Sequence, residues 1–321
     1  MQKPRVVLLC PGQGAQAVGM GKAWADAHPS SAQTFAAADE VVDLGQLGSL
    51  SKLCFDGPAD TLNRTDVSQP ALYTTAVASY QGLLDRWGGA EIAATLGLSL
   101  GEYTALHLAG AFGFKDGLRL VATRGRLMQE AAEASEGGMV ALVGADEDQA
   151  NAVCDEARGG EVLVPANFNA TGQIVISGSA SACDRAVEAA GGMGLRASRL
   201  QVAGAFHSPL MEPAAEGMAR ALEEVEFEPL NTVVYSNVTG EPHAPDDPEL
   251  LKKRLIEQLT SPVRWAQDCA ALAASLADHS EDERPSVQEL APGKVLKGLF
   301  RRIDKTVEVV NHDQPDASPV S

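Results

Sequence analysis

The stretch "TLGLSLGEYTAL", residues 95–106, sets Ser99 between Gly97 and Gly101 where an apolar run gives way to a helical pattern. Gly97-Leu98-Ser99-Leu100-Gly101 fits G-x-S-x-G, a sharp strand-to-helix turn that exposes a serine oxygen while glycines relieve crowding. Residues 92–96 supply the apolar strand and residues 100–111 a helix rich in Leu and Ala, whose positive end faces Ser99. The pattern also arises by chance, so Ser99 is either a nucleophile or a small residue in a turn.

A serine hydroxyl is a weak nucleophile until a base takes its proton. Of His28, His107, His207, His243, His279 and His312, only His207 has persuasive surroundings, in "GAFHSPLMEPAAEGMARALEEV". Ser208 reads as an N-cap and Pro209 as the first helical residue. A helix N-terminus so close disfavours the imidazolium, which keeps the ring neutral and able to accept a proton if its other nitrogen is oriented by a partner. An ordinary histidine of a capping loop fits the same residues. His107, eight residues after Ser99 on the following helix, is too distant to touch the hydroxyl and reads as structural.

Arg124 is an outlier of phase. At ~100° per residue, "DGLRLVATRGRLMQEAAEA" gathers Leu118, Val121, Ala122, Met128 and Ala132 on one arc, and Arg124 falls among them. Arg119, Arg126, Glu130 and Glu133 share the opposite face, where charges are solvated and pair at three- and four-residue spacing. An inward guanidinium must be paired. Its partner is either an internal carboxylate or a carboxylate supplied by a substrate, for which the planar fork is suited.

"GQGAQA" at residues 12–17 matches the dinucleotide fingerprint after a strand, which raises a nucleotide-binding reading. The required second strand ending in Asp or Glu is replaced by the helical "SAQTFAAADEVVDL", and the phosphate-loop spacing fails because Lys22 is followed by Ala23. What remains is a glycine loop with exposed backbone donors, able to wall an oxyanion hole in which the amides of Gln13 and Leu100 point at one oxygen.

These residues need a scaffold. Residues 6–10 read as a buried strand, "PGQG" as a tight loop, and the segments around 32–44, 72–87 and 118–134 as helices, which suggests α/β architecture. Between residues 137 and 203 the order becomes β-α-β-β-α-β, a ferredoxin-like arrangement. The earlier pattern resumes with the helix after Ser208 and "TVVYSNV", so the second unit reads as inserted rather than tandem.

A chain of 321 residues with 45% hydrophobic content can bury a substantial core, and its net charge of -18 argues against a general nucleic-acid binder. The start, with five apolar residues before Pro11, does not resemble a signal peptide, and no apolar stretch approaches membrane-spanning length, so a cytoplasmic protein is expected. Cys10, Cys54, Cys154, Cys183 and Cys269 are scattered and odd in number, the pattern of reduced, buried thiols; no cluster has metal-ligand spacing. Lys294, Lys297, Arg301, Arg302 and Lys305 form a local basic patch, followed by a tail expected to fray.

In order along the chain, "PGQGAQ", "GLSLGEY", "RGRLMQEA", "NFNATGQIVISG", "GAFHSPLMEPAA", "EQLTSPVRW" and "APGKVLKGL" resemble the malonyl-CoA:acyl-carrier-protein transacylase family over nearly the whole chain. The resemblance implies an α/β fold: an α/β-hydrolase-like core at 1–136 and 204–321 with a ferredoxin-like inserted subdomain at 137–203. It implies Ser99 as nucleophile, His207 as base, and Arg124 as clamp for a malonyl carboxylate. It further implies the amides of Gln13 and Leu100 as oxyanion hole, Gln258 orienting His207 through its backbone carbonyl, and Asn169 in substrate binding. Phe206 looks like the bulky residue that accompanies malonyl rather than methylmalonyl selection. Malonyl-CoA is then the substrate and an acyl carrier protein the partner, bringing its own phosphopantetheine; no permanent cofactor, metal, nucleic acid or membrane is implied. The family usually has histidine before the nucleophile, where this chain has Leu98.

An acidic enzyme meeting an acidic carrier needs local attraction, for which Lys294, Lys297, Arg301, Arg302 and the Arg196/Arg199 pair are candidates; a merely solvated helix face is the other reading. A serine hydrolase or thioesterase could use the same serine and base, but Arg124 and the lack of an obvious triad acid argue against it. A scaffold protein would not need intact Ser99, Arg124 and His207. A freestanding acyltransferase of a polyketide pathway shares the motifs, and fatty-acid synthesis is the preferred setting at this length.

Overall fold

The computed structural model describes residues 3–315; the expected frayed tail lies, from residue 316, outside them. The described residues include ten strands: β1 (Arg5–Cys10), β2 (Glu91–Gly97), β3 (Gly137–Val143), β4 (Leu163–Ala170), β5 (Gln173–Ser179), β6 (Arg196–Arg199), β7 (Val233–Ser236), β8 (Glu241–Pro242), β9 (Ser286–Glu289) and β10 (Val309–Asn311). They form two sheets in a mixed α/β fold.

The larger sheet runs β10-β9-β1-β2-β7-β8, with every pairing parallel except β7 with β8. β1 is central and buried on both faces: Val6, Leu8 and Cys10 join one apolar cluster, Val7 and Leu9 another. That is why "VVLLC" is continuously apolar rather than alternating.

The smaller sheet runs β4-β5-β3-β6 and is antiparallel throughout. Two helices, Glu147–Ala157 and Ala180–Gly192, join its strands in the chain order β-α-β-β-α-β. Val140, Leu142, Ile174 and Ile176 pack under these helices, while Met139 and Val175, of opposite parity, pack into the main core. β4 also reaches the rest of the molecule through backbone bonds, Phe168 N–H to Val263 O (2.9 Å) and Val263 N–H to Ala166 O (2.8 Å).

Three helices carry or support the site: Thr65–Trp87, Leu100–Leu108 and Phe114–Ala134. The first begins seven residues before the position expected from sequence and carries Pro70 inside it. Proline costs an interior hydrogen bond, yet Gln69 and Pro70 are buried, and tertiary packing overrides the local breaker. The contact is close because a Cβ on Gly125 would lie 2.7 Å from Thr65 O. The helix after Ser99 stops at Leu108, short of the expected residue 111, where Gly110 takes φ 86°. No helix among the described residues is long and apolar enough to cross a membrane.

Candidate active site

Ser99 sits between β2 and the helix Leu100–Leu108 with φ 54° and ψ -100°, a conformation L-residues avoid. Such strain costs about 1–3 kcal/mol and persists only where surroundings enforce it. Glycines permit the approach: a Cβ on Gly97 would fall 1.9 Å from the Gly101 carbonyl carbon, and one on Gly101 would fall 2.1 Å from Cys10 O. Asn237, just beyond β7, clamps the turn from both sides. Its Nδ2 donates to Gly97 O (2.8 Å), and its Oδ1 accepts from Ser99 N–H (2.6 Å).

Ser99 Oγ lies 2.8 Å from His207 Nε2, and His207 Nδ1 lies 2.7 Å from the Gln258 carbonyl oxygen. A carbonyl can only accept, so the proton sits on Nδ1 and Nε2 presents its lone pair to the Ser99 hydroxyl. Only 4% of His207 is exposed, and its φ is 57°. Burial, then the charge of Arg124, lowers its pKa from 6.5 to about 4, against the opposing pull of the Gln258 carbonyl. As expected, Ser208 is an N-cap and Pro209 stands at the first helical position beside His207. Ser208 Oγ caps only a three-residue 3₁₀ turn, Pro209–Met211, and the α-helix begins at Glu212.

Arg124 is 1% exposed and converges on the same atoms. Its Nη1 donates to Gln69 Oε1 (2.8 Å), and its Nη2 to Gln258 Oε1 (2.8 Å) and Ser99 Oγ (3.0 Å). Its carbon lies 5.5 Å from the centre of the Tyr103 ring. Burial pulls its pKa down, while Tyr103 and Glu102 push it back up. Among the described residues it forms no direct ion pair; its acceptors are neutral. An alcohol, an unprotonated imidazole and a guanidinium thus meet at one oxygen.

The family model described as "Acyl transferase domain" matches residues 7–281. The chain belongs to the acyl transferase family. It is 38% identical over 308 residues to the malonyl CoA-acyl carrier protein transacylase of Escherichia coli strain K12, covering 96% of this chain and 95% of that one. The solved malonyl CoA-acyl carrier protein transacylase of Coxiella burnetii superposes with a TM-score of 0.89 at 34% identity, covering 98% and 96% of the two chains. A malonyl-transacylase solved in complex with its type II PKS acyl-carrier protein superposes with a TM-score of 0.87 at 35% identity, covering 97% and 96%.

In this acyl transferase, Ser99, Arg124 and His207 open onto a cavity of about 340 Å³, also lined by Gln13, Asn169 and Phe206. Leu98 lines it too, as do the apolar Met128 and Val175. Gln258 is fully buried behind the cavity, and Leu100 is buried at the first position of its helix. Neither the Gln13 nor the Leu100 amide donates to another group among the described residues. Lys294, Lys297, Arg301 and Arg302 do not line the cavity. They lie exposed at the start of and along the helix Val295–Ile303, where Arg302 donates to Gln173 Oε1 (2.5 Å). Arg199 is engaged by Ala180 O (3.1 Å) and Asp184 (3.6 Å).

Sequence reasoning missed Gln69, Glu102, Asn237 and His243. Glu102 Oε2 accepts from Gln258 Nε2 (2.6 Å), and Glu102 Oε1 lies 2.7 Å from His243 Nε2, with both side chains buried. One local signal was available: Glu102, the one carboxylate on the helix Leu100–Leu108, follows Ser99 by three residues and so shares its side of the helix. Nothing local pointed to Asn237, 138 residues away from Ser99.

Proposed function

We propose that this acyl transferase moves a malonyl group from coenzyme A to the phosphopantetheine thiol of an acyl carrier protein, through a malonyl ester on Ser99, in fatty-acid synthesis. The observation that carries the reading is the meeting of Ser99, His207 and Arg124 at one cavity. In the first half-reaction His207 Nε2 takes the Ser99 proton as Oγ attacks the thioester carbon. The amides of Gln13 and Leu100 receive the oxyanion, the C–S bond breaks, and imidazolium returns the proton to the departing thiolate. In the second half-reaction the carrier thiol gives its proton to His207 and attacks the ester. Ser99 Oγ then leaves with that proton.

Arg124 receives the malonyl carboxylate through its planar fork. That carboxylate offsets the positive charge beside His207, so the imidazolium formed in each step is less disfavoured when a carboxylated acyl group is bound. Asn169 contacts substrate, and Phe206 narrows the cavity against a branched acyl group. No permanently bound cofactor is required by this chemistry. Lys294, Lys297, Arg301 and Arg302 attract the carrier; their exposure supports this reading, as does their freedom from ion pairs among the described residues.

The sheet orders support a finer description of the fold: an α/β-hydrolase-like core at 1–136 and 204–321 with a ferredoxin-like insert at 137–203. Five free, buried cysteines support a cytoplasmic setting.

A hydrolase reading is disfavoured because a backbone carbonyl, not a carboxylate, orients His207. The deciding experiment is loading with radiolabelled malonyl-CoA, peptide mapping, and chase with phosphopantetheinylated carrier protein. Label is expected on the Ser99 peptide, absent in Ser99→Ala, and discharged to the carrier. Discharge to water alone would make the protein a thioesterase, and absence of label would remove both readings.

A further inference from the structure

A buried guanidinium surrounded only by neutral acceptors is costly, and Arg124 is in that position. A compensating charge lies one side chain away. Gln258 Oε1 accepts from Arg124 Nη2 (2.8 Å), and Gln258 Nε2 donates to Glu102 Oε2 (2.6 Å). We propose that Glu102 is a positioning residue for Arg124, acting through the side-chain amide of Gln258, and that it thereby sets the preference for a carboxylated acyl group. The inference rests on the malonyl-transfer reading above.

The physics lies in the two unlike ends of an amide. A carboxylate can only accept and a guanidinium can only donate, so an ionised Glu102 leaves Gln258 one orientation, with NH₂ toward Glu102 and oxygen toward Arg124. Neutral glutamine at 102 can present either end, so only the Arg124 guanidinium and the Ser99 carbonyl still orient Gln258, and the negative charge behind its amide is lost. Glu102 is itself held, by His243 Nε2 at its Oε1 (2.7 Å) and by Asn237 N–H at its Oε2 (3.3 Å). The Gln258 NH₂ also donates to Ser99 O (3.0 Å), which ties the same amide to the elbow.

The indirect pairing has a functional merit. A carboxylate in direct contact with Arg124 would occupy the fork and compete with substrate. A carboxylate relayed through an amide aims the guanidinium and leaves its charge available at contact distance.

The test compares kcat/KM for Ser99 loading from malonyl-CoA and acetyl-CoA in wild type, Glu102→Gln, Gln258→Met and the double variant, with thermal melts as the check on folding. The malonyl-to-acetyl ratio is expected to fall roughly tenfold in each single variant and no further in the double variant, because Glu102 acts through Gln258. An equal fall for both substrates, or additive falls in ratio, would reduce Glu102 to a packing role and overturn the proposal. Should Glu102→Gln not fold, Gln258→Met decides: an unchanged ratio overturns the relay, and a lost ratio alongside a retained one in Glu102→Asp supports it. Failure of the wild type to load malonyl at all would count against the malonyl-transfer reading instead.

Discussion

In the larger sheet β1 is buried on both faces, whereas in the smaller sheet β3 and β5 bury one face under two helices and turn the other toward the main core. The cavity draws on them differently. The parallel sheet contributes residues beyond strand C-terminal ends: Gln13 after β1, and Leu98 and Ser99 after β2. The antiparallel sheet contributes side chains from within strands: Met139, Asn167, Asn169 and Val175. A strand end is where the backbone can be bent into a strained turn and where helix N-terminal amides point, so reactive groups belong there. A strand face offers regular alternation at fixed spacing, which suits the shaping of a wall.

The largest expected effect tests the reactive half. His207→Ala should reduce loading on the order of 10⁴-fold, since base and nucleophile act as a unit. In the proposed mechanism, neutral imidazole is the working form and exists above the pKa. With that pKa lowered to about 4, the kcat/KM profile should stay level from pH 8 to about 5 and fall only as pH drops further. A loss of activity centred near 6.5 would show that His207 is not held by burial and Arg124 in the way described.

Next, paired alanine substitutions separate the two sheets directly. A Cβ on Gly101 would lie 2.1 Å from Cys10 O, and one on Gly178 in β5 would lie 2.0 Å from Val162 O. Both variants should lose about 1–3 kcal/mol in denaturant titrations. Only Gly101→Ala should also lose loading, by roughly 100-fold, because it displaces the serine turn. Comparable activity losses in the two would erase the distinction between strand end and strand face.

Smaller effects concern shape and approach. Phe206→Ala should lower malonyl selectivity over methylmalonyl by about tenfold, in line with the worth of one methyl group in a pocket. Competition assays with the two thioesters would read it, and an unchanged ratio would assign selection to other lining residues. Smallest of all, charge reversal at Arg301 and Arg302 should slow transfer to carrier protein a few-fold at low salt, roughly, and leave loading from coenzyme A intact. Carrier kinetics that do not change at low salt would remove the patch from the docking surface.

Ser99 and Arg124 were legible as outliers within their own segments. G-x-S-x-G announces a crowded turn, and the helical phase of Arg124 placed it inside before any contact was known. His207 was legible less securely: its neighbourhood was recognised, but the reason for its neutral state was not. Burial is the larger cause, and the charge that adds to it, Arg124, is on a helix far away in sequence. The orienting carbonyl of Gln258 was supplied only by family resemblance, since backbone carbonyls leave no mark on residue type. Helix starts were read late at Thr65 because Pro70 is a local breaker whose cost is offset only by packing on all sides.

By itself, then, the amino-acid order determined what each segment could become: a doubly buried strand, a glycine-relieved turn, an inward arginine. Tertiary structure alone decided which groups answer one another, pairing Ser99 with Asn237 across 138 residues and Gln258 with Glu102 across 156. The reason is that periodicity reports the face a side chain takes, whereas a buried hydrogen bond depends on how separate elements dock and exclude water.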